Sequence, residues 1–274
     1  MKQRIITALC GIPVLVAFIW YDTPRFPLLI LLVASFAALG TLEFYRLATL
    51  SGARPLAVFG VVWTLLFIMG AHLDANYEVG YLVPSLLASA AVLPLAWFLL
   101  FSSQRSFASW LWTVAGILYL GWLLGYYVAL REHDYGREWV ILAIFSVFAC
   151  DTAALFVGRA WGKHLMAPVI SPKKTWEGAI GGFVATPAAA VIIYALLNVA
   201  DVSLPTGYAQ IVLLGCLVGV VAQLGDLLES WLKRRAGVKD SGRLLPGHGG
   251  ILDRIDSLVI TGAVIYYYVV WVVG

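Results

Sequence analysis

Nine apolar runs of about 17–25 residues, nearly free of charge, follow one another along this 274-residue chain. Each is long enough to carry a helix across roughly 30 Å of hydrocarbon. They cover approximately Ile5–Tyr21, Pro27–Tyr45, Leu56–His72, Val79–Phe101, Trp110–Leu130, Trp139–Val157, Trp176–Val199, Tyr208–Leu232 and Ile251–Val273. Lipid offers the backbone no hydrogen bonds, so a spanning segment must be a helix or part of a closed barrel. Barrel strands would alternate apolar and polar residues, and these runs do not. Only 12% of the residues are charged, against about 25% in soluble domains. The expected fold is all-α, a polytopic integral membrane protein of about nine transmembrane helices. No soluble domain and no internal repeat is expected. Residues 1–274 read as a single membrane domain, with five helices in 1–138; the helices that carry the chemistry and two charged loops lie in 139–274.

Met1-Lys2-Gln3-Arg4 ahead of an apolar run has the look of a signal peptide, but no small-residue cleavage site closes the run. It is read as an uncleaved first helix. Cys10, Cys150 and Cys216 lie in apolar runs without paired spacing, which suits neither a disulfide frame nor a zinc site. With the N-terminus placed in the cytoplasm, fifteen of the 18 Lys and Arg residues fall inside and only Arg25, Arg131 and Arg137 outside. The positive-inside rule then predicts an N-in, C-out chain. Both charge-rich loops face the cytoplasm, where nucleotides are found. The compact, tail-free chain suggests a bacterial-type inner membrane.

The first five spans are chemically quiet. Their terminal Trp, Tyr and Phe residues read as interfacial anchors. Glu43 and Arg46, at i and i+3, read as a surface pair at the membrane edge. His72, Asp74, Glu78, His133 and Asp134 read as solvated loop residues.

Chemistry begins at Asp151, an acid inside an apolar run, costly by roughly 2.5–3.5 kcal/mol on insertion scales and normally turned to a polar cavity. A flexible basic loop, Gly158-Arg159-Ala160-Trp161-Gly162-Lys163, is expected after it. In Ser171-Pro172-Lys173-Lys174-Thr175-Trp176-Glu177-Gly178, Ser171 suits an N-cap and Pro172 a first helical position, so a helix is predicted to start there. Its free N–H groups, with Lys173 and Lys174 in the first turn, would suit a phosphate. No G-x-x-x-x-G-K-[ST] occurs, so an ordinary P-loop is absent.

The densest charge lies between Gln223 and Ser257. Asp226, Glu229, Ser230 and Lys233 form one helical stripe, and Asp253 and Asp256 share a face at the start of the last span. Pro246-Gly247-His248-Gly249-Gly250 reads as a turn in which His248 could orient a phosphate. Three acids with hard oxygen ligands point to Mg²⁺, which keeps waters and shares substrate phosphates. Pairing with Lys233 or Arg254 is the plain alternative.

Ser230 to Asp256, S-W-L-K-R-R-A-G-V-K-D-S-G-R-L-L-P-G-H-G-G-I-L-D-R-I-D, resembles the defining motif of phosphatidate cytidylyltransferases, the CDP-diacylglycerol synthases. Asp151 to Gly178 resembles that family's second shared block. Together the blocks cover about a third of the chain; the first five spans resemble the family in hydropathy alone. The resemblance implies transfer of a cytidylyl group from CTP to phosphatidic acid, giving CDP-diacylglycerol and pyrophosphate. It further implies Mg²⁺ on Asp226 and Asp253, with room for a monovalent cation such as K⁺ beside it, Asp256 completing the acidic cluster, and a homodimer.

On this reading the catalytic residues are Asp226, Asp253, Asp256 and Lys233. Ser171, Lys173, Lys174, Arg234, Lys239 and His248 would hold the phosphates of CTP and phosphatidate. Membrane lipid is an expected partner and nucleic acid is not. A cation- or proton-coupled transporter is the alternative, since Asp151 and Asp226 could line an ion path. The D-x-x-D-G-x-x-A-R pattern of lipid-alcohol phosphotransferases is missing, because Ser257 follows Asp256. The full Ser230–Asp256 match also argues against a CTP-dependent polyisoprenol kinase.

Overall fold

A computed structural model describes residues 13–22, 28–77, 80–101, 106–242, 244 and 249–274. The described residues are all-α apart from one short hairpin. Helix α1 covers residues 13–20. It is followed by α2 (Leu28–Leu50), α3 (Ala57–Tyr77), α4 (Leu82–Phe101) and α5 (Ser106–Gly116). A π-helical turn, Ile117–Trp122, leads from α5 directly into α6 (Leu123–Glu132). Then come α7 (Gly136–Trp161), the strands β1 (Leu165–Ala167) and β2 (Ser171–Thr175), α8 (Trp176–Val199) and α9 (Tyr208–Arg235). The chain closes with α10 (Leu252–Tyr268), which continues as a π-helical segment, Val269–Val273. Among the described residues eight helical segments, counting α5–α6 as one, are long and apolar enough to cross a bilayer. They correspond to eight of the nine expected spans. The first, Ile5–Tyr21, is described only from residue 13, and His248 lies outside the described residues.

The chain divides into two compact units: Met1–His133 with Leu232–Ile255, and Asp134–Trp231 with Asp256–Gly274. In the first, Phe67, Ala90 and Ile117 form a buried cluster with Trp63 and Leu86 against it. Several buried polar groups there are paired, as a lipid solvent favours. Tyr45 donates its hydroxyl to the Thr113 carbonyl at 2.7 Å, and the hydroxyls of Thr41 and Thr64 meet at 3.1 Å. The amides of Arg54 and Leu56, entering α3, donate to Ser109 and Thr113 hydroxyls. Lipid-facing positions such as Val58, Leu99 and Leu100 stay exposed and apolar.

Of the expected solvated residues, His133 and Asp134 lie in the turn between α6 and α7 and Glu78 lies outside the described residues, whereas His72 and Asp74 are helical. His72 and Asp74 lie within α3. His72 Nδ1 meets Glu132 at 2.9 Å, and Asp74 accepts from the Val83 amide. Glu43 is no surface residue: it is 5% exposed and faces Ser241 and the start of α10. Only Arg46 of the supposed pair is exposed.

In the second unit α7 and α8 approach closely because small residues face each other. A Cβ on Gly178 would lie 2.7 Å from the Ala154 carbonyl oxygen, and one on Gly182 would lie 3.0 Å from that of Cys150. This is the small-residue packing that membrane helices use in place of a hydrophobic drive. Gln223 of α9 donates to the Ala179 carbonyl at 3.1 Å, and Tyr268 of α10 donates to that of Gln210 at 2.8 Å.

Candidate active site

The block from Asp151 to Gly178 folds differently from its local signals. Gly158–Trp161, expected as flexible loop, is the last turn of α7, and Gly162 caps it. The helix predicted to start at Ser171 does not. Ser171–Thr175 is a strand, paired antiparallel with β1 so that Leu165 faces Thr175 and Ala167 faces Ser171. Pro172 is tolerated because a two-stranded ribbon leaves one edge of each strand without partners. Helix α8 begins only at Trp176, with Thr175 as its N-cap accepting from the Gly178 amide at 3.2 Å. Glu177 fastens the hairpin's base: its carboxylate accepts from the amides of Lys163 and His164 and meets His164 Nδ1 at 2.6 Å. Lys173 and Lys174 are therefore strand residues.

The hairpin covers one side of a cavity of about 610 Å³ between α7, α8 and α9, within the roughly 300–1,000 Å³ of small-molecule sites. Its polar lining comes from Asp151, Arg159, Lys173, Lys174, Thr175, Gln223 and Asp226. Lys174 Nζ stands 2.6 Å from Asp226 Oδ2, and the Asp226 side chain is 33% exposed. The ammonium nitrogen itself is buried and makes no aligned hydrogen bond. An ammonium carries three donors, so Lys174 keeps hydrogen-bonding capacity that an anion in the cavity can use. The other Asp226 oxygen has only a long 3.5 Å contact from Ser230. Deeper along α7, Asp151 Oδ1 meets the Ser257 hydroxyl at 3.4 Å, and the Ser257 amide donates to Asp256 at 2.8 Å. Ser171 is not among the lining residues, although Pro172 beside it is.

The first unit holds Asp253 and Lys233 in a closed network. Asp253, 7% exposed, takes Lys233 Nζ on Oδ1 at 2.6 Å. Its Oδ2 accepts from the Ser241 amide at 3.0 Å, the Ser241 hydroxyl at 2.9 Å and the Gly250 amide at 2.8 Å. Arg234 and Lys239 are exposed, with Arg234 Nη1 on the Val238 carbonyl. Among the described residues no three His, Cys, Asp or Glu side chains gather into a metal cage. A hard cation would have to share its shell with waters or substrate, as Mg²⁺ commonly does.

Sequence reasoning missed Gln223 and Arg159 as cavity residues and Glu43 as a partner of Ser241 and the start of α10. For Glu43 a signal was present: an acid two turns inside an apolar helix end needs a partner. The local i+3 pairing with Arg46 hid it.

The Cytidylyltransferase family model matches residues 2–272 of the chain. Phosphatidate cytidylyltransferase of Brucella suis biovar 1 (strain 1330) is 36% identical over 274 residues, covering 98% of this chain and 93% of its own length. The proteins of the same name from Bacillus subtilis (strain 168) and Synechocystis sp. are each 31% identical. The first covers 97% of both chains; the second covers 98% of this chain and 96% of its own.

Proposed function

The chain belongs to the cytidylyltransferase family, and on that footing we propose that it converts CTP and phosphatidic acid to CDP-diacylglycerol and pyrophosphate. A phosphate oxygen of phosphatidate attacks the α-phosphorus of CTP. A new P–O bond forms there as the α–β anhydride bond breaks, its electron pair leaving with pyrophosphate. The attacking phosphate monoester is largely ionised near pH 7, its second pKa being about 6, so no strong base is required. The obstacle is the meeting of two polyanions, which positioned positive charge removes.

The observation that carries this reading is the Lys174–Asp226 pair, a buried ammonium with spare donors at the wall of a nucleotide-sized cavity. Lys174, Lys173 and Arg159 hold the phosphates of CTP, and α8 and α9 fix the wall they act from. Arg234 and Lys239 are exposed cations suited to the lipid phosphate or departing pyrophosphate. Lys233 is bound to Asp253 and serves by holding that carboxylate.

Mg²⁺ fits Asp226, a half-open carboxylate with hard oxygens. When bound it neutralises phosphate charge and stabilises the leaving group. Asp253, the other expected ligand, already takes four donors, so it can ligate an ion only by releasing Lys233. K⁺ and a homodimer remain parts of the proposal supported by the family resemblance alone. A cytoplasmic N-terminus and a site on the cytoplasmic face of an inner membrane are supported by the one-sided distribution of basic residues. The transporter alternative has no observation in its favour.

The test is pyrophosphate release by the purified protein in detergent–phosphatidate micelles, with CTP or ATP and with Mg²⁺ or EDTA. Release requiring CTP, phosphatidate and Mg²⁺ together is expected. No release from folded, lipid-supplied protein would overturn the reading.

A further inference from the structure

Glu43 is a buried acid contributed by α2, about two hundred positions away in sequence from the groups it binds. Its Oε1 accepts from the Ile251 amide at 3.1 Å and its Oε2 from the Leu252 amide at 2.9 Å. These are orphan donors of the α10 N-terminus, where a negative charge is also favoured by the helix dipole. The same Oε2 lies 2.8 Å from the Ser241 hydroxyl, which is also 2.9 Å from Asp253 Oδ2. A hydroxyl has one proton, so the two carboxylates share one donor. Arg46, a turn after Glu43, donates to the Ser241 carbonyl at 3.3 Å. The fit leaves no slack: a Cβ on Gly242 or Gly250 would collide with the Glu43 carboxylate.

We propose that Glu43 is a positioning residue, gripping Ser241 and the start of α10 at Ile251 and Leu252 and orienting the Asp253 carboxylate through the Ser241 hydroxyl. The proposal rests on the cytidylyltransferase reading for what Asp253 does, but the grip itself does not. Apart from Lys233, the donors on Asp253 belong to Ser241 and Gly250, and the carboxylate has the freedom to turn only as far as those residues can move. Glu43 removes that freedom by fixing the hydroxyl and the helix start on either side of Asp253. It does so without touching substrate.

The test uses full-length Glu43→Gln in phosphatidate micelles. By analogy with the loss of an outer-shell partner, kcat falls about 10–100-fold, while KM for CTP is unchanged because the nucleotide cavity is lined by other residues. Hydrogen exchange at the Ile251 and Leu252 amides accelerates, and exchange in α7 and α8 does not. Asp22→Asn is the control: Asp22 is a comparably buried acid of the same unit, paired with Arg131 at 3.1 Å and with the Leu29 amide. It lowers Tm and leaves kcat unchanged. Normal kcat with fast exchange in Glu43→Gln would reduce Glu43 to a helix cap and overturn the proposal, as would unaltered exchange.

If Glu43→Gln does not fold, Ser241→Ala decides, since it deletes only the shared hydroxyl. Reduced kcat with Ile251 and Leu252 still protected is expected, and normal kcat overturns the route through Ser241. If the wild-type protein releases no pyrophosphate, the enzyme reading fails, while the exchange measurement still decides whether Glu43 holds the start of α10.

Discussion

The two regions that carry acids beside lysines are built to opposite ends. In the cavity of the second unit, Lys174 and Asp226 meet in one poorly aligned contact, with spare donors on one and an oxygen near solvent on the other. In the first unit, Lys233 and Asp253 meet at the same 2.6 Å, but Asp253 is 7% exposed and its second oxygen takes three more hydrogen bonds. An ion pair of equal length thus has two meanings. Left partly unsatisfied beside a cavity, it is a place for an anion and a cation to enter. Saturated and enclosed, it fixes backbone.

Variants should separate the two. The largest expected effect is in the closed pair: Lys233→Met strands a buried carboxylate and should cost about 3–5 kcal/mol of stability, measured as a lower Tm and a poorer folded yield in detergent. Asp226→Asn should behave the other way. Its folded yield and Tm should stay near wild type, while kcat falls by on the order of 10²–10³-fold, the loss seen when a preorganised electrostatic group is removed. Equal Tm losses in the two variants would erase the distinction between open and closed pairs.

Smaller effects test the frame around the cavity. Gly178→Val would push α8 off the Ala154 carbonyl and should cost about 1–3 kcal/mol, as overpacking does, read by thermal unfolding together with weaker CTP binding. Thr175→Ala removes the N-cap of α8 and should cost roughly 1 kcal/mol, a modest Tm shift with activity near wild type. If Thr175→Ala instead abolished activity, the hairpin would be doing more than carrying the lysines.

The chain's membrane character was determined by the sequence alone, because hydropathy over twenty residues is set by the solvent and needs no tertiary partner. Eight spans could be placed that way, and so could the two charged blocks, whose polar residues stand at fixed local spacings. The form of the first block could not. Ser171-Pro172 carries a sound helix-start signal, yet Thr175 pairs with Leu165 and the Trp176 amide with the His164 carbonyl. Two short strands closing on each other outcompeted a local cap.

Nor could the sequence say that Lys174 faces Asp226 across space, or that Glu43 belongs with Ser241, 198 positions away. Local periodicity reports neighbours within a turn or two. The partners of buried charges are chosen by packing, and only the folded chain brings them within 3 Å.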